Sequence, residues 1–444
     1  MPSPALVPET DLYAAAFAEV ERRAKGEPSW LLALRREGFA HFQEAGFPSP
    51  HDESWKYTSA APIARISWEP PAAVPSRRPL PLPMDLSEPV RLVFVNGRFS
   101  APLSSERSAL PEGIDLHDLA TVLRDHPDWL QPWLGRETPH AAGSFGAWNT
   151  AFFEDGVFLR VRKGARPAEP IHLFFVSDAP GPPTMSHPRN LIVAESGSDA
   201  SVVETYAGDG ISLTNAVTEI FVADDAALEH YKVQRESTSA FHVHTIAARQ
   251  GRSSRFTSHN IALGGALART DIRALVDGEG AECVLNGLFV GGGAQHLDNH
   301  TTIDHAKPHG SSRELYKGIL DGRSRGVFHG TILVREDAQK TDAIQTNRNL
   351  LLSREALVNS TPALEIHADD VKCKHGSTIG QMDANALFYL RSRGIGEEDA
   401  RALLTWAFAE DVARRIEIPA IRAGVEAALG LRLPGSNTSG GERP

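Results

Sequence analysis

Cys283 and Cys373 are the only cysteines in 444 residues. Two thiols are too few for a disulfide framework, and they fit a reducing compartment. Basic residues are in deficit as well: 45 Lys and Arg stand against 56 Asp and Glu, a formal charge of −11. That balance excludes the positive footprint of a nucleic-acid-binding or basic membrane-surface protein. No apolar run approaches the roughly 20 residues needed to span a bilayer. Early acids (Glu9, Asp11, Glu19) replace the apolar core of a leader, so neither a secretory signal nor a transit peptide is expected. Gly291-Gly292-Gly293 follows an apolar run but lacks the G-x-x-x-x-G-K-[ST] phosphate loop, so no ATP site is expected on this chain. What remains is an acidic, soluble protein expected in the cytoplasm.

The patterning divides the chain into six parts. Residues 1–68 read as helical: Thr10 caps a first helix closed by Gly26, and Ser29 caps a second that carries Trp30, Leu31, Leu34 and Phe42 and ends near Gly46. A Pro-rich linker at 69–89 is too poor in donors for helix or ladder. Residues 90–149 are a mixed lead-in with one helix expected near Asp115–Arg124. From 150 to 382 helical periodicity disappears, and short β-prone runs alternate with turns rich in Gly, Asp and Ser. Residues 383–433 are helical again: Asp383 caps one helix closed by Gly394, and a second starts after Gly396 with Glu397, Glu398 and Asp399 at its positive end. The apolar stripe of that second helix is Ala400, Leu403, Leu404, Ala407, Phe408 and Val412, with Trp406 beside it. The tail, 434–444, reads as disordered.

The β-rich part repeats itself. A Gly or Ala, a small residue three positions on and an apolar residue five positions on recur as Gly197/Ala200/Val202, Ala223/Ala226/Leu228, Gly251/Ser254/Phe256 and Gly278/Ala281/Cys283, about 26 to 28 residues apart. Looser copies follow at Gly322/Arg325/Val327 and Ser353/Ala356/Val358. Such a period signals a solenoid, and without helices in the repeat the coils are strands: a parallel β-helix, with Cys283 an inward core thiol.

The other cysteine lies in Asp369-Asp370-Val371-Lys372-Cys373-Lys374-His375-Gly376-Ser377-Thr378-Ile379-Gly380. On a strand, spacing two places Cys373 and His375 on one face, a soft pair suited to iron, zinc or transferred sulfur. A closed metal site needs four ligands, so the pair reads as a half-site completed by another chain; the plainer reading is a buried thiol beside an exposed histidine.

Several segments in order extend this pattern. They are Glu53-Ser54-Trp55-Lys56-Tyr57-Thr58, Asn149-Thr150-Ala151-Phe152-Phe153-Glu154-Asp155-Gly156, His187-Pro188-Arg189-Asn190-Leu191, Asp304-His305-Ala306-Lys307-Pro308-His309, Arg313-Glu314-Leu315-Tyr316-Lys317-Gly318, Gln339-Lys340-Thr341-Asp342-Ala343 and Leu387-Phe388-Tyr389-Leu390-Arg391-Ser392-Arg393-Gly394-Ile395. With the cysteine segment, they make the chain resemble the SufB/SufD family of iron–sulfur cluster assembly proteins over nearly its whole length. The SufB branch is richer in cysteine, so the SufD branch is the better match. The resemblance implies a right-handed parallel β-helix between helical ends, a heterodimer with a SufB homologue, and a SufC ATPase docked on the C-terminal helices. Leu387, Phe388, Tyr389, Arg393, Trp406 and Phe408 are the residues expected to meet that ATPase. It further implies that Cys373 and His375 sit at the SufB–SufD interface, where a transient cluster or iron is handled. The subunit would have no catalysis of its own, and ATP-driven closure of SufC would shear the interface and expose His375. A homodimer is the expected alternative when the chain is alone. No flavin fingerprint is evident, and whether a flavin binds stays open.

Two other readings are kept. His296, His300, His305 and His309, with Asp298 and Asp304, fall in one short span. On one strand His296, Asp298 and His300 would share a face as metal ligands, and a stand-alone metal-dependent β-helix enzyme would use them. A ladder of hydrogen-bonded side chains at a solenoid turn or interface explains the same residues. A free β-helix enzyme acting on polysaccharides is the remaining reading, disfavoured by the lack of an export signal. No Ser-His-Asp order or carboxylate pair stands out.

Overall fold

The computed structural model describes residues 10–24, 26–69, 90–106, 110–137 and 143–429. The expected Pro-rich linker (all but residue 69) and the 434–444 tail lie outside the described residues.

The helical lead-in consists of α1 (Thr10–Arg23), α2 (Ser29–Ala45) and the short α3 (Ala61–Ala64). Ser29 is the first helical residue of α2 and not its cap: Pro28 holds the capping position with an extended backbone, and no side chain caps the helix. The helix closes at Gly46, whose φ of +62° suits glycine and whose N–H donates to the Phe42 carbonyl. After β1 (Arg91–Val95), β2 (Arg98–Phe99) and β3 (Ile114–Asp118) comes α4 (Leu119–Asp125). The helix expected from Asp115 begins four residues late, because 114–118 pair with the solenoid and the Asp118 carboxylate caps α4 by accepting from the Thr121 N–H at 2.9 Å. A further helix, α5 (Gly143–Phe152), is missing from the sequence reading. Its residues Phe145–Phe152 are all buried, so it shows no polar stripe to mark it. It packs on α2 at Gly38, where a Cβ would stand 2.9 Å from the Ala147 carbonyl oxygen. Phe17, Phe39, Phe42, Phe47, Trp55 and Trp148 form the aromatic core that seats these helices on the solenoid.

The solenoid runs through β4 (Gly156–Val161), β5 (Ile171–Ser186), β6 (Arg189–Ala194), β7 (Asp199–Val222), β8 (Ala227–Glu236), β9 (Phe241–Gln250), β10 (Arg255–Ala262), β11 (Leu267–Val276), β12 (Glu282–Gly291), β13 (His296–His305), β14 (Ser311–Leu320), β15 (Arg325–Val334), β16 (Asp342–Leu351), β17 (Leu357–Ile366) and β18 (Lys372–Gln381). Each strand from β8 on pairs in parallel with the second strand along, so β8–β10–β12–β14–β16–β18 build one sheet and β9–β11–β13–β15–β17 the other. The long β7 feeds both. The result is a parallel β-solenoid of about eight coils with helices at both ends. Strands of the first sheet begin at residues 227, 255, 282, 311, 342 and 372, so a coil takes about 27 to 31 residues.

The register corrects the repeat in detail. Leu228, Phe256 and Cys283 are partners on successive coils, as the repeat requires, but the residue level with Leu228 on β7 is Ala200 and not Val202. The copies at Gly322 and Ser353 introduce β15 and β17 of the other sheet. Both kinds of turn use the same small residues, so the pattern catches both.

At the C-terminal end lie α6 (Ala384–Ser392), α7 (Glu397–Ala413) and α8 (Pro419–Ala428). Asp383 caps α6 by accepting from the Asn385 N–H at 2.8 Å, and Gly394 follows at φ +86°. Helices α7 and α8 cover the outer face of the first sheet, where Ala409, Val412, Ile416, Ile421 and Val425 meet Tyr231, Val233, Ile261, Leu288 and Ile319. The buried face of α7 is Ala400, Thr405, Ala409, Val412 and Ala413, rotated from the expected stripe, which leaves Leu403 and Ala407 exposed. No helix among the described residues is long and apolar enough to cross a membrane.

Candidate functional site

Alternation along each strand sends every second side chain into the solenoid. On the first sheet one inward column is Leu228, Phe256, Cys283, Ser312, Ala343 and Cys373; the next is His230, Ser258, Leu285, Glu314, Gln345 and His375. Cys373 and His375 therefore face the same way on the last coil, as spacing two requires. Cys283 is fully buried inside the column, its thiol pushed far up by burial. Cys373 is half-buried against the cluster of Ile332, Val334, Ala338, Ala343 and Ala368; burial pushes its thiol up too, against a backbone hydrogen bond with Ala343. His375 is exposed.

Beyond this pair the ladder stops. Among the described residues β18 pairs only with β16 and β17 only with β15, which leaves two parallel strand edges open. The last coil also exposes apolar side chains: Leu357 is 50% exposed, Ile366 41% and Ile379 52%. An open edge with exposed apolar residues is a pairing template that isolated proteins normally blunt. Among the described residues no three His, Cys, Asp or Glu side chains gather as a metal-binding group. Cys373 and His375 are therefore one soft thiol and one imidazole at the mouth of an open solenoid, and a four-ligand site there takes the rest of its donors from elsewhere.

The histidine span divides by strand parity, which corrects the four-histidine metal reading. On β13 the even positions point outward and the odd ones inward. His296, Asp298 and His300 share the outer face; His305 points inward, where its Nε2 meets Ser312 Oγ at 2.9 Å and burial pushes it down to about 4; His309 sits exposed in a turn at φ +60°. The outer three form a hydrogen-bonded clamp. Thr58 Oγ1 donates to Asp298 Oδ2 at 2.6 Å and lies 2.8 Å from His296 Nε2, and Arg269 binds Asp298 and Asp271 at 2.8 Å each. Arg269 also donates to the Ser54 carbonyl and lies 4.1 Å from the centre of the Trp55 ring, so the Glu53–Thr58 segment is riveted to the solenoid. His300 lies 3.0 Å from Asp298 Oδ1 and stacks on His329 in a cleft of about 560 Å³.

The expected docking residues separate as well. Phe388 is 73% and Tyr389 56% exposed on α6, with the Arg393 guanidinium 5.2 Å from the Tyr389 ring; Leu387 is half-buried. Trp406 and Phe408 are partly buried against the core under α7. Phe408 is held by its own fold: Lys317 Nζ donates to its carbonyl at 2.6 Å and lies 4.8 Å from its ring.

The polar content of the solenoid interior escaped the sequence reading. Glu204 is fully buried and meets Tyr206 at 2.6 Å, Thr218 at 2.9 Å and His230 at 3.1 Å. Burial alone would push Glu204 up, but these partners hold it below the usual carboxylate range. Further along, Lys232 donates to Thr270 at 2.6 Å and Asn260 to Asn299 at 2.8 Å. The signal was available: His230, Glu314, Gln345 and His375 all stand two positions after the inward anchor of their coil. Near the open end Asn299 Nδ2, His305 Nδ1, Gln345 Oε1 and Asn349 Oδ1 are buried without a protein partner, and Thr301 Oγ1, Glu314 Oε1 and the Tyr316 hydroxyl have none at hydrogen-bonding geometry. Where such an atom stays dry it costs about 1–3 kcal/mol.

Glu314 is a sensitive reporter of that interior, since burial pushes its carboxyl up to about 7 against the Thr301 and Gln345 side chains. With a folded pKa above the unfolded one, the native state holds an extra proton between about pH 4.5 and 7, so stability falls as pH rises through that window. Glu314→Gln is expected to remove a pH dependence of about 3 kcal/mol between pH 5 and 8, read from urea midpoints in the two proteins.

A family model described as the SUF system FeS cluster assembly, SufBD core domain, matches residues 175–408, and one for the SufBD protein N-terminal region matches residues 85–173. An iron–sulfur cluster assembly SufBD family protein of Synechocystis is 32% identical over 437 residues, 96% of each chain. The iron–sulfur cluster assembly protein SufD of Escherichia coli is 32% identical over 405 residues, 89% of this chain and 92% of that protein. A chloroplastic protein of Arabidopsis thaliana is 29% identical over 426 residues, 93% of this chain and 89% of that one.

Proposed function

The chain belongs to the SufBD family of the SUF iron–sulfur cluster assembly system, and from that membership and the open end of its solenoid we propose that it is a SufD-type scaffold subunit without catalysis of its own. Its partner is a SufB-type subunit that abuts β17 and β18, continues the two sheets and covers Leu357, Ile366 and Ile379. The joined ends bring the partner's donors to Cys373 and His375, and a nascent cluster, the cargo of the reaction, is held there in passing. His375 serves as iron ligand or proton acceptor, with Cys373 as a supporting ligand. SufC-type ATPases dock on the exposed side of α6 and α7, at Leu387, Phe388, Tyr389 and Arg393, extended by Leu403 and bordered by Trp406. Such a complex works in the cytoplasm.

The observation that carries this reading is the unpaired, apolar last coil with the Cys–x–His pair in its mouth. Co-expression with SufB and SufC homologues, followed by size exclusion with light scattering, is expected to give one SufB, two SufC and one copy of this chain. A lone chain or homodimer that ignores both homologues would overturn the assignment. Ile379→Lys places a charge on the open edge, a device that blocks strand addition. It is expected to weaken the SufB contact at least tenfold by titration while leaving the melting of the isolated chain unchanged.

A further inference from the structure

The last coil is fastened from inside. In one inward column of the first sheet Tyr316, Asn347 and Ser377 stand on successive rungs, and across the interior Ser360 follows Phe328 on the second sheet. Asn347 is fully buried, and its amide is held in one orientation. Its Nδ2 donates to the Tyr316 backbone carbonyl at 3.2 Å, while its Oδ1 accepts from Asn349 Nδ2 and, at 2.7 Å, from Ser360 Oγ. A hydroxyl has one proton to give. Ser360 gives its own to Asn347, so in the 2.7 Å contact between the Ser360 and Ser377 hydroxyls Ser377 is the donor. One chain of hydrogen bonds thus runs from β18 through β17 to β16.

Little else holds these strands. Among the described residues β17 and β18 each have a ladder on one side only. Apart from the Cys373 thiol's bond with the Ala343 backbone, no other side chain of β17 or β18 has a hydrogen-bond partner among the described residues. The rung behind the clasp is aromatic: the buried Tyr316 and Phe328 rings lie 5.1 Å apart and wall it off from the rest of the interior. Against such an apolar wall a hydrogen bond is stronger than in water.

We propose that Ser377, Ser360 and Asn347 are the positioning residues of the open end: they lock β18 to β17, and with it the Cys373–His375 face, in one geometry before a partner strand arrives. The role rests on reading the open end as the assembly site. Ser377 stands two residues from His375 on the same face of the same strand, so any shift of β18 at the clasp carries the imidazole with it. Groups at a reaction centre must be held within about 0.5 Å of their working geometry, and a misplacement of about 1 Å can cost about 100-fold in rate.

Hydrogen exchange on the full chain tests the clasp without any partner. Ser377→Ala and Ser360→Ala are each expected to speed exchange of the β17 and β18 amides about tenfold and to leave β8–β14 unchanged. Ser377→Thr keeps the hydroxyl and is expected to exchange like the unmodified chain. Unaltered exchange in the alanine variants, or equal acceleration in Ser377→Thr, would overturn the clasp. With SufB and SufC homologues at saturation, Ser377→Ala is expected to slow cluster formation about tenfold, and Ser377→Thr to restore it. A residue that only shapes the interface would change the concentration needed for saturation and not the saturated rate. An unchanged saturated rate in Ser377→Ala, or one that Ser377→Thr fails to restore, would therefore overturn the positioning role. If the unmodified chain forms no complex, the scaffold assignment and the positioning role fall together, and the clasp is decided by exchange alone.

Discussion

His375→Ala is expected to leave the SufB–SufC complex of this chain assembled and to lower its rate of cluster formation at least as much as the loss of an outer-shell partner of a metal ligand, about 10–100-fold. The separation of the two effects follows from position. His375 is exposed on the final coil, so truncation opens no cavity in the core. What it loses is the exposed imidazole of the Cys–x–His pair at the mouth. Cys373 cannot replace it, because burial keeps its thiol protonated until a metal or a base takes the proton. Cys373→Ser should accordingly cost less than His375→Ala. Size exclusion of the complex together with the absorbance of newly formed cluster reads both quantities. If the complex falls apart in His375→Ala, the residue is structural and the site lies elsewhere.

Arg269→Ala is expected to be the most destabilising single change in the isolated chain, about 3–5 kcal/mol. The guanidinium is 2% exposed and neutralises two carboxylates, Asp298 and Asp271, at 2.8 Å. Burial by itself would push Asp298 up; Arg269 and His300 overcome this and hold it well below the usual carboxylate range. Removing the cation strands the buried Asp298 and the partly exposed Asp271 and also frees the Ser54 carbonyl and the Trp55 ring. The urea midpoint should fall with little change in slope. Arg269→Lys should recover only part of the loss, since a single ammonium cannot serve both carboxylates and stack on Trp55. The sign of the pH dependence follows from Asp298. Its folded pKa lies below the unfolded one, so its contribution is present above about pH 4 and disappears on acidification. In Arg269→Ala that acid-sensitive part should shrink. A loss under 1 kcal/mol would show that the clamp is not what seats the Glu53–Thr58 segment.

Several of the segments that carry the family resemblance turn out to be fasteners of this kind. Asn149 donates to the Pro188 and Asn215 carbonyls at 2.9 Å each, and Asp155 accepts from the Phe99, Ala120 and Gly156 N–H groups. Gly156 lies at φ +153° where a Cβ would stand 1.9 Å from the Arg189 carbonyl oxygen. These residues join the helical lead-in to the first coils, so strong sequence signatures here mark the fold and not the chemistry. The histidine span shows the converse. Four imidazoles within 14 positions look like a metal centre in one dimension. Strand parity turns His305 inward and leaves His296 and His300 outside, in the Thr58–Asp298–Arg269 clamp.

By itself the sequence determined the class of structure, because period and alternation are local: the solenoid repeat, the helical ends, the inward placement of Cys283 and the shared face of Cys373 and His375 all follow from spacing along the chain. The all-buried helix α5 and the rotated face of α7 were beyond it, since which side of a helix is covered depends on what packs there. The interior polar columns likewise exist only once coils about 27 to 31 residues long are stacked in register, which places Glu314, Gln345 and His375 on neighbouring rungs. Only the tertiary structure decided that this column ends at an unpaired edge. A strand's sequence is the same whether or not another strand lies beside it, but its backbone donors and acceptors are satisfied only in the second case.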